Sequence, residues 1–112
     1  MTPTIVTENN ALRMVVGAPG GSTIITTVLQ IILNVLVYDL DAKQAIAAPR
    51  LHQQWLPDTV RVEQNGFDRL TLAELQRRGH KVQEQEPWGN AMLILRQPNG
   101  LLEGAADPRG EG

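Results

Sequence analysis

The spacing of apolar and polar positions changes several times along the chain, and each change marks an element. Thr4–Glu8 is rich in β-branched residues, Asn9-Asn10 follows, and Leu12–Gly17 returns. Branched residues favour extended backbone and paired asparagines favour turns, so this spacing predicts a hairpin. Met14-Val15-Val16 is continuous rather than alternating, which suits a strand covered on both faces. From Ile24 onward nearly every position is Ile, Val or Leu. Thr23, Thr27, Gln30 and Asn34 recur at three- and four-residue steps and form one narrow polar stripe, with Thr26 beside it. That pattern predicts a helix from Ser22 or Thr23 to about Val37, with Ser22 as its N-cap. A surface helix has the reverse proportion of apolar to polar residues. This one has to be buried around most of its circumference, and further protein is expected to cover it.

Tyr38-Asp39-Leu40 closes that helix. Asp41–Ala48 reads as a short second helix with Asp41 as cap, its alanines suited to close packing, and Pro49 stops it. Thr59–Glu63 alternates as a strand and Asn65-Gly66 turns the chain. Asp68 caps a helix to about Arg78 that Gly79 ends. Lys81–Gln85 is a short strand or connector, and Ala91–Leu95 and Leu101–Ala105 flank a turn at Pro98-Asn99-Gly100. The residues from Ala106 to Gly112 read as loop or tail. The sum is α/β (α+β) in class, a layered sheet covered by helices.

Composition narrows the function classes. The 112 residues suffice for one small domain or a piece of a larger one. Lys plus Arg number 10 against 12 Asp plus Glu, a net charge of -2 with no basic run, which argues against a nucleic-acid surface. There is no cysteine, hence no disulfide and no thiolate metal site. The apolar run at Ile24–Leu40 is broken by polar residues and falls short of the roughly 20 residues of a membrane span. His52 and His80 are the only histidines and show no ligand spacing, so no metal and no cofactor is expected. His52 is expected to hydrogen-bond within the Arg50–Asp58 segment, with a general-base role as the weaker alternative. Trp55 and Trp88 read as core or interface aromatics. Arg50 and Arg109 are each placed to pair with a buried carboxylate, and Asp107-Pro108-Arg109 reads as a structural clamp. The alternative for the two arginines is binding of a substrate carboxylate.

The strongest chemical signal is the junction from Val15 to Ile25, where an apolar strand meets a long helix through Gly17-Ala18-Pro19-Gly20-Gly21-Ser22. Two successive glycines let the backbone turn where a Cβ would clash and leave N–H groups bare. A helix start adds unpaired donors and partial positive charge. Such a turn holds an anion, or negative charge developing on oxygen. The bland alternative is a tight turn that lets a strand pack on a helix. The phosphate-loop and dinucleotide patterns are both missing, and no serine or cysteine sits in a nucleophile elbow.

Several stretches, in order, carry a resemblance that spans almost the whole chain. They are Thr2-Pro3-Thr4-Ile5-Val6, Gly17-Ala18-Pro19-Gly20-Gly21-Ser22, Ile24-Ile25-Thr26-Thr27-Val28-Leu29-Gln30, Ala48-Pro49-Arg50, His52-Gln53-Gln54-Trp55-Leu56-Pro57-Asp58, Arg78-Gly79-His80-Lys81-Val82 and Gly104-Ala105-Ala106-Asp107-Pro108-Arg109. With them the chain, residues 1–112, resembles the C-terminal segment of the small subunit of gamma-glutamyltransferase (gamma-glutamyltranspeptidase, glutathione hydrolase).

The resemblance implies part of an N-terminal-nucleophile hydrolase αββα sandwich, mostly antiparallel sheet with packed helices. It implies acyl transfer from a gamma-glutamyl donor such as glutathione to water or to an amino-acid or peptide acceptor, through a threonine acyl-enzyme. It assigns Gly20 and Gly21 to the oxyanion hole. It places the nucleophilic threonine upstream of Met1, so Thr2, Thr4, Thr26 and Thr27 are not that residue. A fragment that supplies one wall of the site is therefore expected, inactive alone. Its partners would be the upstream part of the small subunit and the large subunit, with self-association of the fragment as a further possibility and a periplasmic or extracellular setting. The alternative is a non-catalytic structural domain homologous to the enzyme.

Overall fold

The computed structural model describes residues 3–110. Met1 and Thr2, and Glu111 and Gly112 of the expected tail, lie outside the described residues. In chain order the elements are β1 (Thr4–Glu8), β2 (Ala11–Gly17), a 3₁₀ turn (Gly21–Thr23), α1 (Ile24–Leu36), α2 (Ala42–Ala47), β3 (Leu51–His52), β4 (Val60–Glu63), α3 (Arg69–Arg77), β5 (Val82–Gln85), β6 (Met92–Arg96) and β7 (Leu102–Ala106). The class is mixed α/β, antiparallel sheet with packed helices. The chain divides into two compact units, one of residues up to Ala47 together with those from Gly89 on, the other Ala48–Trp88.

The first unit holds a four-stranded antiparallel sheet in the order β1-β2-β6-β7. Its first hairpin turns at Asn9-Asn10, both in the left-handed region at φ 54° and 64°. Asparagine tolerates that region better than other side chains. Met14 and Val16 of β2 and Leu93 and Leu95 of β6 point to one face, where Val28, Ile31 and Val35 of α1 and Ala42, Ala45 and Ile46 of α2 meet them in a single core. Each larger aliphatic side chain so buried contributes about 1.5–3 kcal/mol.

Within this chain β2 is covered on one face: its burial alternates, and Val15 is half-buried. On the outward face the register aligns Ile5, Val15, Ile94 and Gly104 across all four strands.

Helix α1 has the predicted extent but not the predicted start. The cap positions of the 3₁₀ turn and of α1 are Gly20 and Thr23, and neither supplies a side-chain cap, so Ser22 is not the N-cap. Two glycines in positive-φ backbone tighten the first turn to 3₁₀ and move the helix start past Ser22. At the other end Asp39 takes φ 55° while the Leu40 N–H donates to Asn34 O at 3.0 Å, closing the helix through a left-handed residue. The polar stripe splits: Thr27 turns into the core at 1% exposure, and Asn34 Nδ2 donates to Ala45 O at 3.0 Å. Beyond the stripe lies a second apolar ridge, Ile25, Leu29, Leu33 and Leu36, exposed to solvent in the chain.

The second unit is a three-stranded sheet, β3-β4-β5, with β5 parallel to β4. Helix α3 connects β4 to β5. It begins at Asp68, whose carboxylate accepts the Thr71 N–H at 2.7 Å as predicted. Val60 and Val62 are buried.

Candidate active site

Strand β2 ends at buried Gly17, Ala18 is buried after it, and Pro19 then brings the chain to the surface. Gly20 sits at φ 137°, ψ 21°, and Gly21 at φ 59°. A side chain is strained in such backbone. A Cβ on Gly20 would also stand 2.9 Å from Thr23 Oγ1, whereas one on Gly21 would meet nothing within 4 Å. The Gly20 carbonyl faces the helix and accepts both the Thr23 N–H at 3.2 Å and the Thr23 hydroxyl at 2.8 Å. Among the described residues neither the Gly20 nor the Gly21 N–H has an acceptor, and both residues are exposed. The two glycines singled out from sequence thus form one turn. It presents bare donors at the start of a 13-residue helix, whose macrodipole favours negative charge at that end. The part of Thr23 was missed, although a threonine three residues after a glycine turn is a recognisable back-bonding signal.

His52 is 2% exposed and its Nε2 lies 2.8 Å from Gln54 Oε1, inside its own segment as expected. His80 is exposed on the loop after α3. Among the described residues no cluster of His, Cys, Asp and Glu can hold a metal ion, and no helix is long and apolar enough to cross a membrane. Trp55 is 79% exposed, which corrects the core half of its reading; Trp88 is half-buried.

Arg50 and Glu63 are both buried. The Glu63 carboxylate accepts the backbone N–H of Arg50 at 2.9 Å and of Trp88 at 3.0 Å, while the Arg50 guanidinium donates to Trp88 O at 3.0 Å.

Residues 107–110 form an anchored loop, as one half of the expectation had it. Asp107 is 2% exposed and accepts the Ala91 N–H at 2.9 Å and the Arg109 guanidinium at 3.0 Å. Arg109 also donates to Ile46 O at 3.0 Å and Ala47 O at 3.3 Å, the terminal carbonyls of α2. The opposite end of α2 is held by Glu103, which accepts the Ala42 N–H at 2.6 Å. Sequence reading missed Glu103, whose partner is 61 residues away.

Helix α3 and its cap carry two carboxyls with lowered pKa. Thr71, through its hydroxyl and then its N–H, holds the Asp68 carboxyl below its ordinary range. Arg77 and then Arg78 do the same for Glu74.

On the outward face of the first unit's sheet lies an open cavity of about 360 Å³, lined by Val15, Gly17, Met92, Ile94 and Gly104 among others. Its lining offers no charged or hydroxyl side chain. It is a surface to be packed against rather than a place for chemistry.

A family model described as gamma-glutamyltranspeptidase matches residues 1–112. A glutathione hydrolase proenzyme of Escherichia coli (strain K12) is 49% identical over 109 residues, 97% of this chain and 19% of that protein. An oxamate amidohydrolase proenzyme of Klebsiella pneumoniae is 32% identical over 120 residues, covering 100% of this chain and 22% of that protein. The chain therefore spans about a fifth of the length of these curated relatives. Among solved structures, an acivicin-inhibited gamma-glutamyltranspeptidase, whose C-terminus has critical roles in its autoprocessing and catalysis, superposes with a TM-score of 0.95 at 43% identity. That match covers 100% of this chain and 61% of the other. With a family model along its whole length and a near-complete structural match, the chain belongs to the gamma-glutamyltranspeptidase family.

Proposed function

We propose that this chain is the C-terminal segment of the small subunit of a gamma-glutamyl acyl-transfer enzyme, and that Gly20 and Gly21 supply its oxyanion hole. In the complete enzyme a threonine hydroxyl upstream of these residues attacks the gamma-glutamyl carbonyl of glutathione or a related donor. The α-amine of that threonine takes the hydroxyl proton. The carbonyl oxygen becomes an oxyanion, and the two bare N–H groups donate to it. Collapse expels the amine, which carries the proton away, and leaves a gamma-glutamyl ester. Water or an amino-acid or peptide amine then takes the acyl group through the same tetrahedral geometry. The upstream part of the small subunit and the large subunit complete the site, in a periplasmic or extracellular setting.

The observation that carries this reading is the pair of exposed, unacceptored amides at Gly20 and Gly21. It gains weight from the 49% identity to a glutathione hydrolase proenzyme. A second reading keeps the turn and changes the donor to a small amide such as oxamate, favoured by the amidohydrolase relative.

The test is Gly20→Ala in the complete enzyme, assayed on a gamma-glutamyl anilide. An L-residue cannot hold the Gly20 backbone, so the donors lose their aim. The expected result is a fall in kcat of about 10²–10³-fold, the size of losing one oxyanion donor, with KM within about threefold. Unchanged kcat sinks the assignment of the turn. Oxamate hydrolysis without gamma-glutamyl turnover selects the second reading.

A further inference from the structure

We infer that Thr23 is a positioning residue for the reaction: its hydroxyl aims and polarises the peptide group whose N–H, that of Gly21, faces the oxyanion. The inference rests on reading the turn as the oxyanion hole. Gly20 O and Gly21 N–H belong to one planar trans peptide and point in opposite directions. Whatever holds the carbonyl therefore sets the direction of the N–H. Two donors hold it, both from Thr23: the hydroxyl at 2.8 Å and the backbone N–H at 3.2 Å. The shorter bond is the side chain's.

Three further observations fit this role. Thr23 stands at the N-cap of α1 but caps nothing with its side chain, so the hydroxyl is committed backward to Gly20. A Cβ at Gly20 would stand 2.9 Å from that same Oγ1, so the hydroxyl occupies space that only glycine leaves open. The Gly20 backbone at φ 137° does not hold its orientation by ordinary preference, and an external anchor has to fix it. A carbonyl that accepts hydrogen bonds also makes the N–H of its own peptide a stronger donor, since linked bonds polarise one another.

The test compares Thr23→Val, close in shape without the hydroxyl, with Thr23→Ser, which keeps it, in the complete enzyme on a gamma-glutamyl anilide. The expected result is a fall in kcat of about tenfold for Thr23→Val, smaller than outright loss of a donor. KM stays within about twofold, and Thr23→Ser restores most of the rate. The Gly21 backbone ¹⁵N resonance moves upfield in Thr23→Val and not in Thr23→Ser, a change that loss of stability alone does not produce. Wild-type kcat in Thr23→Val alongside a collapse in Gly20→Ala overturns the inference and leaves the turn assignment standing. Equal losses in the valine and serine variants, or a loss confined to KM, also overturn it. No loss in either Thr23→Val or Gly20→Ala overturns both readings. If Thr23→Val fails to fold, Thr23→Ala carries the same comparison.

Discussion

Asp107 spends both carboxylate oxygens inside the fold, one on the Ala91 N–H and the other on the backbone and guanidinium of Arg109. Its own N–H donates to Ala91 O at 3.1 Å, so the pair of residues closes a ring where β6 begins and β7 ends. Removing this carboxylate takes its charge from beside a largely buried guanidinium and its acceptor from the Ala91 N–H. Asp107→Ala is therefore expected to lower unfolding free energy by about 3–5 kcal/mol, with Asp107→Asn intermediate, read as the urea midpoint at constant m-value. A loss below about 1 kcal/mol contradicts the clamp. The acid and base flanking Pro108 were visible in sequence as a clamp, but the partners were not. Ala91, Ile46 and Ala47 offer only backbone atoms, which carry no residue-specific signal. The same asymmetry holds at the turn. Two adjacent glycines are legible as a turn, while the bare amides and the Thr23 anchor follow only from the backbone path.

At the scale of elements, those with a local signal were read correctly and those set by distant pairing were not. Asp41 and Gln44 close a reciprocal capping box, the Gln44 N–H to Asp41 Oδ1 at 2.7 Å and the Asp41 N–H to Gln44 Oε1 at 3.1 Å. Asp68 caps α3 as read. Ser22 misled because a cap residue type is only a preference, and the glycine pair before it had already taken the first turn. The parallel pairing of β5 with β4 and the clamping of α2 between Glu103 and Arg109 depend on residues far apart in sequence. Helix α2 has six residues, too few to persist unaided. The carboxylate at its N-terminus and the guanidinium at its C-terminus match its dipole.

Helix α3 gives a pH dependence. Asp68 and Glu74 are both held below their ordinary values in the folded chain. Their contribution is complete above the ordinary carboxylate range and is lost as pH falls through the lowered values. Protection of the Thr71 amide is thus expected to survive at pH values where an unperturbed aspartate is already protonated, and to fail below. A titration midpoint for Asp68 at or above 3.8 contradicts this.

For the molecule as a whole, the informative surfaces are the apolar ones. The ridge Ile25, Leu29, Leu33 and Leu36 on α1 is exposed in the chain, and so are Ile5 and Ile94 on the sheet, with Val15 half-buried between them. Soluble proteins rarely leave contiguous surfaces of this kind open. The sequence made the first legible, because a helix so apolar has to be covered on more than one side. It obscured the second, because a continuous apolar strand reads the same whether its second face is covered by this chain or by another. Both fit a chain that spans 61% of the chain it superposes on.

On the proposed reading the Gly20-Gly21 turn receives negative charge that a nucleophile outside these residues creates. Release of arylamine from a gamma-glutamyl anilide, compared at equal molarity, tests it most directly. The complete enzyme is predicted to turn over and residues 1–112 alone are not. Turnover by the 112-residue chain at a rate comparable to the complete enzyme would contradict the account.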